Sequence, residues 1–319
     1  MNNIEFRDNQ FLWVERYRPQ KLDDCIIPES LKNDFRKFIE QGQLPNFLFS
    51  GTAGTGKTTI AKALCNEIGA EYIVINGSDE GRSIDVLRGT IKSFASTVSL
   101  TDSKKVVILD EADYMNAQSV QPALRNFMEE FSGNCRFIFT CNFKARIIEP
   151  LHSRCTCVDF KIDSKEKPAI AAAFFKRVVQ ILNFEKVEFD QKVVSELVIK
   201  HFPDYRRILN ELQRHAVSGK IEVGVLSSFT DEKFGTLLTN LKSKNFTEVR
   251  KWVGTNVDVE YNELFRKLYD TSVEHLEPHS IPELVLILAD YDFKSAFRAD
   301  KEINIMACMT EIMTACKFK

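Results

Sequence analysis

Long apolar runs, paired cysteines and a strong net charge are all missing from this sequence. No stretch of the 319 residues approaches the ~18 consecutive apolar residues that a membrane-spanning helix needs. None of the 8 cysteines forms a C-x-x-C pair, so we expect no zinc module. The formal net charge is −2, which excludes a global basic field, and any contact with nucleic acid must come from a local patch.

Features of a secreted protein are missing as well. The segment Met1–Glu5 does not read as a signal peptide. Most cysteines lie in apolar stretches, and Cys155 and Cys157 alternate within a short β-like run, so we expect packed, reduced thiols. We therefore expect a cytoplasmic protein. Its hydrophobic content of 44% is ample for the two or three domains that this length predicts.

Short apolar runs alternate with helical patterns over residues 1–163. Such alternation predicts an α/β domain with a parallel sheet sandwiched by helices. In such folds the ligand site lies in the loops at the carboxyl ends of the strands. The predicted strands are Phe47–Ser50, Tyr72–Ile75, Val106–Leu109, Phe137–Thr140 and Cys157–Phe160.

From residue 164 onward the pattern is helical, without strands. We predict a small helical lid domain over residues 164–229 and an all-helical domain over residues 230–319. Pro203-Asp204 predicts a helix start with Asp204 as the N-cap. The predicted helices are Pro168–Leu182, Gln191–Lys200, Tyr205–Ser218, Asp231–Ser243, Thr247–Gly254, Val259–Thr271, Pro282–Phe293 and Lys301–Lys317. The apolar faces of the last domain are compatible with a core or with a subunit interface.

A phosphate-binding loop of the form G-x-x-x-x-G-K-T follows the first predicted strand and opens into a helical pattern. Backbone N–H groups of such a loop cradle phosphates. We expect Lys57 to reach the β- and γ-phosphates and the Thr58 hydroxyl to bind Mg²⁺. The residues expected to hold the triphosphate are Gly51, Thr52, Ala53, Gly54, Thr55, Gly56, Lys57, Thr58 and Thr59.

A second phosphate motif, Asp110-Glu111-Ala112-Asp113, ends the run Val106–Leu109 in a Walker B arrangement. We expect Asp110 to hold Mg²⁺ together with Thr58, and Glu111 to orient and polarise the attacking water. The D-E-A-D letters also suggest a DEAD-box helicase. That class needs a second α/β motor domain, and nothing after residue 165 has that pattern.

Two further polar residues follow the later strands. Asn142, at the tip of the fourth run, is placed to contact the γ-phosphate or the lytic water, although a lone Asn after a strand is more often a turn residue. Arg154 lies on a short polar turn and would suit an arginine finger, but its spacing alone favours an ordinary surface arginine.

Four more segments, together with the two phosphate motifs, follow a recognisable order between residues 12 and 215. They are Val14–Pro19, Asn76–Gly89, Ser153–Cys155 and Pro203–Arg207. In this order they resemble the E-K-Y-R-P box, the N-A-S-D segment, the S-R-C motif and the sensor 2 segment of AAA+ sliding-clamp loader ATPase subunits. The chain is similar to replication factor C small subunits, and its short length and details most resemble the large subunit of T4-type bacteriophage loaders.

The resemblance implies a fold and a function. It implies an AAA+ P-loop NTPase domain, a lid domain and a helical collar that joins subunits in a pentamer. ATP and Mg²⁺ would be the cofactors. The partners would be a sliding clamp, primer-template DNA contacted through its backbone, and other loader subunits, in the host cytoplasm if a phage encodes the chain. ATP binding would open the clamp, and DNA-stimulated hydrolysis would release the closed clamp on DNA.

The resemblance also implies roles for residues around the nucleotide. The adenine pocket would be lined by Tyr17, Arg18, Cys25 and Ile26. Asn142 and Arg206 would be sensors 1 and 2 and read the γ-phosphate in cis, while Arg154 would act in trans on the next subunit's ATP. Because Phe202-Pro203 replaces Gly-Asp before the sensor 2 arginines, the choice between Arg206 and Arg207 stays open, with Arg206 favoured by alignment.

Other implied roles lie away from the phosphates. Asn76 would hold Glu111 away from water until DNA binds. The residues facing DNA phosphates would be Arg82, Arg88 and Lys92, and those docking on the clamp would be Phe94 and the apolar residues around Val98 and Leu100.

Two alternatives remain. Another AAA+ DNA motor, such as a Holliday-junction helicase or an initiator, would carry a winged-helix domain where residues 230–319 read as helical. A non-catalytic ATP-binding loader subunit would have lost some of the motif residues that are intact here.

Overall fold

The computed structural model describes residues 10–78, 84–97, 104–217, 219–221, 231–256, 261–295 and 300–319. The chain forms two compact units, Met1–Glu222 and Val223–Lys319. The boundaries expected after residues 163 and 229 stay predictions. Within the described residues, no helix has the length and apolar character to cross a membrane.

A five-stranded parallel sheet forms the centre of the first unit, in the order β2-β3-β4-β1-β5. The inner strands β1, β3 and β4 are buried along almost their whole length, as expected for a parallel sheet covered on both faces. This confirms the predicted α/β class. The strands are β1 Phe47–Ser50, β2 Glu71–Asn76, β3 Lys105–Asp110, β4 Cys135–Cys141 and β5 Thr156–Asp159.

Two apolar cores lie on the two faces of this sheet. Because side chains alternate along a strand, Val107 and Leu109 join one core while Val106 and Ile108 join the other. The first core includes residues of α4 and α5, and the second includes residues of α2 and α3. The helices of this part are α1 Trp13–Arg16, α2 Glu29–Glu40, α3 Lys57–Glu67, α4 Ile84–Ser96, α5 Val120–Glu130 and α6 Glu149–His152.

Three helices form the lid region: α7 Lys167–Phe184, α8 Gln191–His201 and α9 Tyr205–Ala216. The predicted cap is confirmed, because the Asp204 side chain accepts a hydrogen bond from the Arg207 backbone N–H. The prediction of no strands in this region is wrong in one detail. A parallel pair, β6 Glu188–Phe189 and β7 Lys220–Ile221, joins the segments before α8 and after α9. Two-residue strands are too short to show a period in the sequence.

The described part of the second unit is built mainly from five helices: α10 Asp231–Lys242, α11 Phe246–Thr255, α12 Tyr261–His275, α13 Ile281–Ser295 and α14 Lys301–Ala315. Each contributes to one apolar core, for example Leu237, Val249, Leu264, Leu284 and Ile312. The same helices also expose large apolar side chains, including Val273, Leu286, Phe293 and Ile303, each more than 60% exposed. These helices therefore bury one apolar face in the core of the unit and also expose apolar side chains outside that core.

Candidate nucleotide-binding site

A cavity opens at the carboxyl ends of β3 and β4, between the loop after β1 and the lid helices α7 and α9. Parallel strands all end at this edge of the sheet, which is where the strand pattern places the site. The predicted site residues that line the cavity are Tyr17, Arg18, Cys25, Ile26, Ala53, Gly54, Thr55, Gly56, Lys57, Thr58, Thr59, Asp110, Glu111, Asn142 and Arg206.

The phosphate loop needs glycine because the lid packs directly against it. Gly54 has φ +75°, and a Cβ there would lie 1.8 Å from Oδ1 of Asp204, the N-cap of α9. The Tyr205 backbone N–H donates to the Gly54 carbonyl at 3.1 Å. The loop ends at Gly56, also at positive φ (90°), and α3 begins at Lys57 with its N–H groups facing the cavity.

Lys57 is buried, and its ammonium already has three acceptors. It donates to the carbonyls of Gly51 and Thr52 at 2.8 and 2.7 Å and to Oδ1 of Asn142 at 3.0 Å. Burial lowers the pKa of Lys57. Gly51 and Thr52 line a second, adjacent cavity, which they share with Asn142 and Lys144. A phosphate oxygen would compete for Lys57 with neutral acceptors only, and a charged acceptor is the stronger one.

Asp110 gathers two hydroxyl groups on one carboxylate oxygen. Oδ1 accepts from Thr58 Oγ1 at 2.7 Å and from the Thr140 hydroxyl. A hydroxyl beside a carboxylate is a donor set that fits Mg²⁺, which takes few protein ligands and completes its shell with water and phosphate. No cluster of three His, Cys, Asp or Glu side chains that could hold a metal ion occurs among the described residues. The sequence alone does not predict a role for Thr140, because its hydrogen bond to Asp110 depends on β3 and β4 being neighbours in the sheet.

Glu111 stands in a strained backbone conformation at the cavity wall. Its φ and ψ are 53° and 43°, a left-handed geometry that costs a non-glycine residue ~1–3 kcal/mol. The Glu111 N–H donates to Thr140 Oγ1 at 3.2 Å. On the other side, a Cβ on Gly77 would come within 2.5 Å of the Glu111 carbonyl oxygen. The close approach of Gly77 therefore helps to fix this turn.

Asn76 at the end of β2 pairs in register with Asp110 at the end of β3, and Asp110 directly precedes Glu111 in the chain. Its Oδ1 accepts from the backbone N–H and the hydroxyl of Ser78, at 2.9 and 2.8 Å. In the described part of the chain, no hydrogen bond joins the side chains of Asn76 and Glu111. The proposed restraint of Glu111 by Asn76 stays a prediction.

Asp113 supports the loop that carries Asn142, a role that the sequence alone does not predict. This carboxylate is buried, and Oδ2 accepts from the backbone N–H groups of Asn142 and Phe143 at 3.3 and 3.1 Å. The last Asp of the D-E-A-D letters thus holds the loop that presents Asn142. Only the sheet order, which sets β3 beside β4, reveals this role.

The lid contributes a wall of the cavity that was also missed. Besides Arg206, its lining residues are Phe174, Arg177, Ile181, Tyr205 and Leu209. Their spacing on α7 and α9 matches that of core residues, so the pattern does not indicate a site. Arg207 is not among the lining residues, and its backbone N–H is used by the cap at Asp204.

The amino-terminal box is tied to the lid. The Tyr17 hydroxyl donates to Glu185, and Arg16 forms an ion pair with the same carboxylate at 2.8 Å. The pKa of Tyr17 is raised, mainly by burial and to a smaller extent by the hydrogen bond to Glu185. The Trp13 backbone N–H donates to Gln213 on α9 at 2.9 Å. Tyr17, one of the residues expected around adenine, is therefore anchored to the lid.

Arg154 does not line the cavity of its own chain. Its guanidinium lies on the surface, where Nε and Nη2 donate to Oε1 of Glu129 at 3.0 and 2.6 Å. Nη1 donates to the Pro150 carbonyl at 3.0 Å. The residues that would bind the triphosphate thus lie together, whereas Arg154, the expected arginine finger, does not lie among them.

The residues expected to face DNA lie on α4 in part. Arg88 and Lys92 are exposed on this helix, and Lys92 Nζ is 3.9 Å from Glu130. The buried ammonium of Lys105 donates to the carbonyls of Phe94 and Thr97 at the end of α4. Arg82, Val98 and Leu100 lie outside the described residues.

Two family models match this chain. One, described as the ATPase family associated with various cellular activities (AAA), matches residues 47–164. The other, described as the AAA+ ATPase lid domain of the sliding-clamp-loader large subunit, matches residues 166–227.

Relatives match over almost the full length. The sliding-clamp-loader large subunit of Escherichia phage RB69 is 34% identical, covering 99% of this chain and 100% of the relative. The same protein of Enterobacteria phage T4 is 31% identical, with the same coverage. The replication factor C small subunit of Archaeoglobus fulgidus is 32% identical, covering 97% of this chain and 99% of the relative.

A solved structure of a RuvB mutant from Thermotoga maritima superposes with a TM-score of 0.53, covering 81% of this chain and 88% of that one. At 17% identity this likeness shows the fold alone.

Proposed function

This chain belongs to the AAA+ ATPases that load sliding clamps, and from that premise we propose which of its residues perform each part of the work. It is an ATP-hydrolysing clamp-loader subunit. ATP binding drives the opening of a ring clamp and the capture of primer-template DNA. Hydrolysis, stimulated by DNA, then releases the closed clamp, so the nucleotide acts as a switch between two states of the loader.

The observation that supports our assignment is the incomplete site within one chain. Lys57, Thr58, Asp110, Glu111 and Asn142 line one cavity, whereas Arg154 lies outside it on the surface. Besides Lys57 and Arg206 of the cavity itself, an arginine finger adds a further cation that stabilises the charge developing on the γ-phosphate during phosphoryl transfer. We infer that a neighbouring subunit supplies it, so each active site lies at a seam between two chains.

The chain's own residues position the reacting groups. Lys57 exchanges its loop carbonyls for phosphate oxygens, and the loop N–H groups cradle the triphosphate. Thr58 and Asp110 would hold Mg²⁺, which when bound neutralises charge on the phosphates. Glu111 accepts a proton from the attacking water, and its fixed backbone keeps the carboxylate at the cavity. Asn142 and Arg206 contact the γ-phosphate.

Clamp, DNA and sister subunits would contact other surfaces. Arg88 and Lys92 on α4, with Arg82, would bind DNA phosphates without reading sequence. Leu286 and Phe293 lie seven residues apart on α13 and so share one side of that helix, where both are exposed, and this apolar side supports a collar role. We propose a pentamer, a cytoplasmic location, and the domain division at residues 163 and 229. An AAA+ motor with a carboxyl-terminal winged helix is disfavoured, since residues 231–256, 261–295 and 300–315 are almost entirely helical.

Steady-state ATPase assays with clamp, partner subunits and primed DNA test this assignment. Glu111→Gln should bind ATP and clamp but lose hydrolysis by ~100-fold or more. Arg154→Ala should retain nucleotide binding and lose the DNA-stimulated rate by ~10³-fold. Arg36→Ala is the matched control, because Arg36 is a similarly exposed, ion-paired arginine that does not line the cavity. Normal stimulated turnover by Arg154→Ala would refute the role of Arg154.

A further inference from the structure

Helix α7 presents one face to the nucleotide cavity, formed by Phe174, Arg177 and Ile181. The spacing i, i+3, i+7 places the three side chains on the same side of the helix. Arg177 is the middle member and is half-buried between two apolar neighbours. A charged group at the centre of an otherwise apolar face needs an explanation, because Phe or Leu would pack there at lower cost.

Arg177 has no partner within the described part of the chain. No hydrogen bond or ion pair involves its guanidinium there, whereas Lys57 has three acceptors and Arg18 pairs with Glu15. Among the cations that line the cavity, Arg206 likewise has no hydrogen bond or ion pair to its side chain within the residues that the structure describes. A guanidinium carries five N–H donors and a planar face, and at a cavity wall it is suited to a ligand that offers acceptors or a π-system.

The packing of α7 shows which end of the cavity Arg177 occupies. The Phe174 ring packs against the Tyr205 ring, tilted by 43° with centroids 4.5 Å apart, and the Tyr205 hydroxyl donates to the Ile26 carbonyl at 2.9 Å. This anchors the face of α7 over the segment that contains Cys25. The charges of Lys32 and Arg177 oppose the rise that burial causes in the pKa of Cys25, whereas the charge of Arg206 adds to the lowering that burial causes in the pKa of Lys57. Arg177 therefore lies toward the Cys25 side of the cavity and Arg206 toward the Lys57 side.

We propose that Arg177 binds the nucleoside part of the nucleotide, with its guanidinium plane against the purine base. The inference rests on the proposed function, in which this cavity holds ATP. A planar cation over an aromatic face gains a cation–π attraction, and Arg makes this contact better than Lys because its charge is delocalised over a plane. Arg177 makes no contact with the reacting phosphates, so it sets affinity and leaves the chemical step alone.

The test uses two probes that differ only in the nucleoside: ATP and inorganic tripolyphosphate. Each competes with a fluorescent ADP analogue for the purified full-length chain. Arg177→Ala should weaken ATP binding by ~3–30-fold and leave the affinity for tripolyphosphate unchanged. In the loader assay KM for ATP should rise by the same factor while kcat stays within ~2-fold. Arg177→Lys should recover little of the loss.

Three controls keep the outcome interpretable. Lys176→Ala changes the exposed neighbour on the same helix and should behave as wild type. Lys57→Ala should lose both probes, which shows that the phosphate end is being measured. If Arg177→Ala lowers the melting temperature, Arg177→Met, which keeps the aliphatic stem, is measured instead.

If Arg177→Ala lowers the affinities for ATP and tripolyphosphate equally, Arg177 is a phosphate ligand and the proposal is overturned. An unchanged affinity for both probes would overturn it as well. A wild-type chain that binds neither probe would instead contradict the proposed function itself.

Discussion

The buried Lys105 provides the sharpest test of how helix α4, for which we propose a contact with DNA, is held. Its side chain is only 4% exposed, and the ammonium donates to the Phe94 carbonyl at 2.8 Å and to the carbonyl and hydroxyl of Thr97. It also lies 5.0 Å from the centre of the Phe94 ring. Lys105 begins β3, the strand that ends in Asp110, so one side chain ties the end of α4 to that strand.

Lys105→Met keeps the length of the side chain and removes every donor. Each acceptor that loses its partner in a buried place costs ~1–3 kcal/mol, and the loss of a cation at a helix carboxyl end adds ~0.5 kcal/mol. Part of the loss is recovered as water reaches the freed groups, so we expect a destabilisation of ~3 kcal/mol. For a unit of this size that corresponds to a fall in Tm of roughly 6–12 °C.

Differential scanning calorimetry of the full chain measures this change. Lys104→Met is the matched control, because Lys104 precedes Lys105 and is exposed, and it should shift Tm by less than ~2 °C. DNA stimulation of the ATPase should fall more than the basal rate in Lys105→Met, since α4 carries Arg88 and Lys92. A Tm for Lys105→Met equal to that of Lys104→Met would refute the capping role.

Two other perturbations have expected outcomes. Gly77→Ala would place a methyl group 2.5 Å from the Glu111 carbonyl oxygen, so the turn at Glu111 must move. The ATPase kcat should then fall by ~10-fold or more, with little change in nucleotide affinity. An unchanged kcat would contradict the account of that turn. Burial raises the pKa of the Cys25, Cys65 and Cys141 thiols to about 12, so at pH 8 these thiols stay protonated and unreactive, and their alkylation should speed up only as pH rises. Mass spectrometry after brief iodoacetamide treatment at pH 8 should find the exposed Cys157 labelled first, and Cys157→Ser should abolish the fast phase.

The sheet was predictable because its strands are short and rich in β-branched and aromatic residues, and because the three inner ones are buried. Phe47–Ser50 was predicted with the observed bounds, and the other runs differ by one or two residues at their ends. The phosphate loop and Asp110 were predictable for a related reason: their chemistry is local and requires fixed residue types at a fixed spacing.

Contacts between distant segments were not predictable in the same way. Thr140 meets Asp110 only because β4 lies beside β3 in register, with Leu109 opposite Phe139. Arg177 is on a helix far along the chain from the phosphate loop, and its neighbours on that face look like core residues. Tertiary packing decides such contacts, and a single sequence holds no record of which segments meet.

A mixing experiment tests the central claim most directly, which is that each ATP site combines the cavity of one chain with Arg154 of its neighbour. Chains carrying Glu111→Gln and chains carrying Arg154→Ala are each inactive in the DNA-stimulated assay. Assembled together at random with clamp and primed DNA, they should recover roughly a quarter of the wild-type rate, because about one seam in four joins an intact Glu111 to an intact Arg154. A mixture that stays as inactive as either variant alone would contradict the shared site.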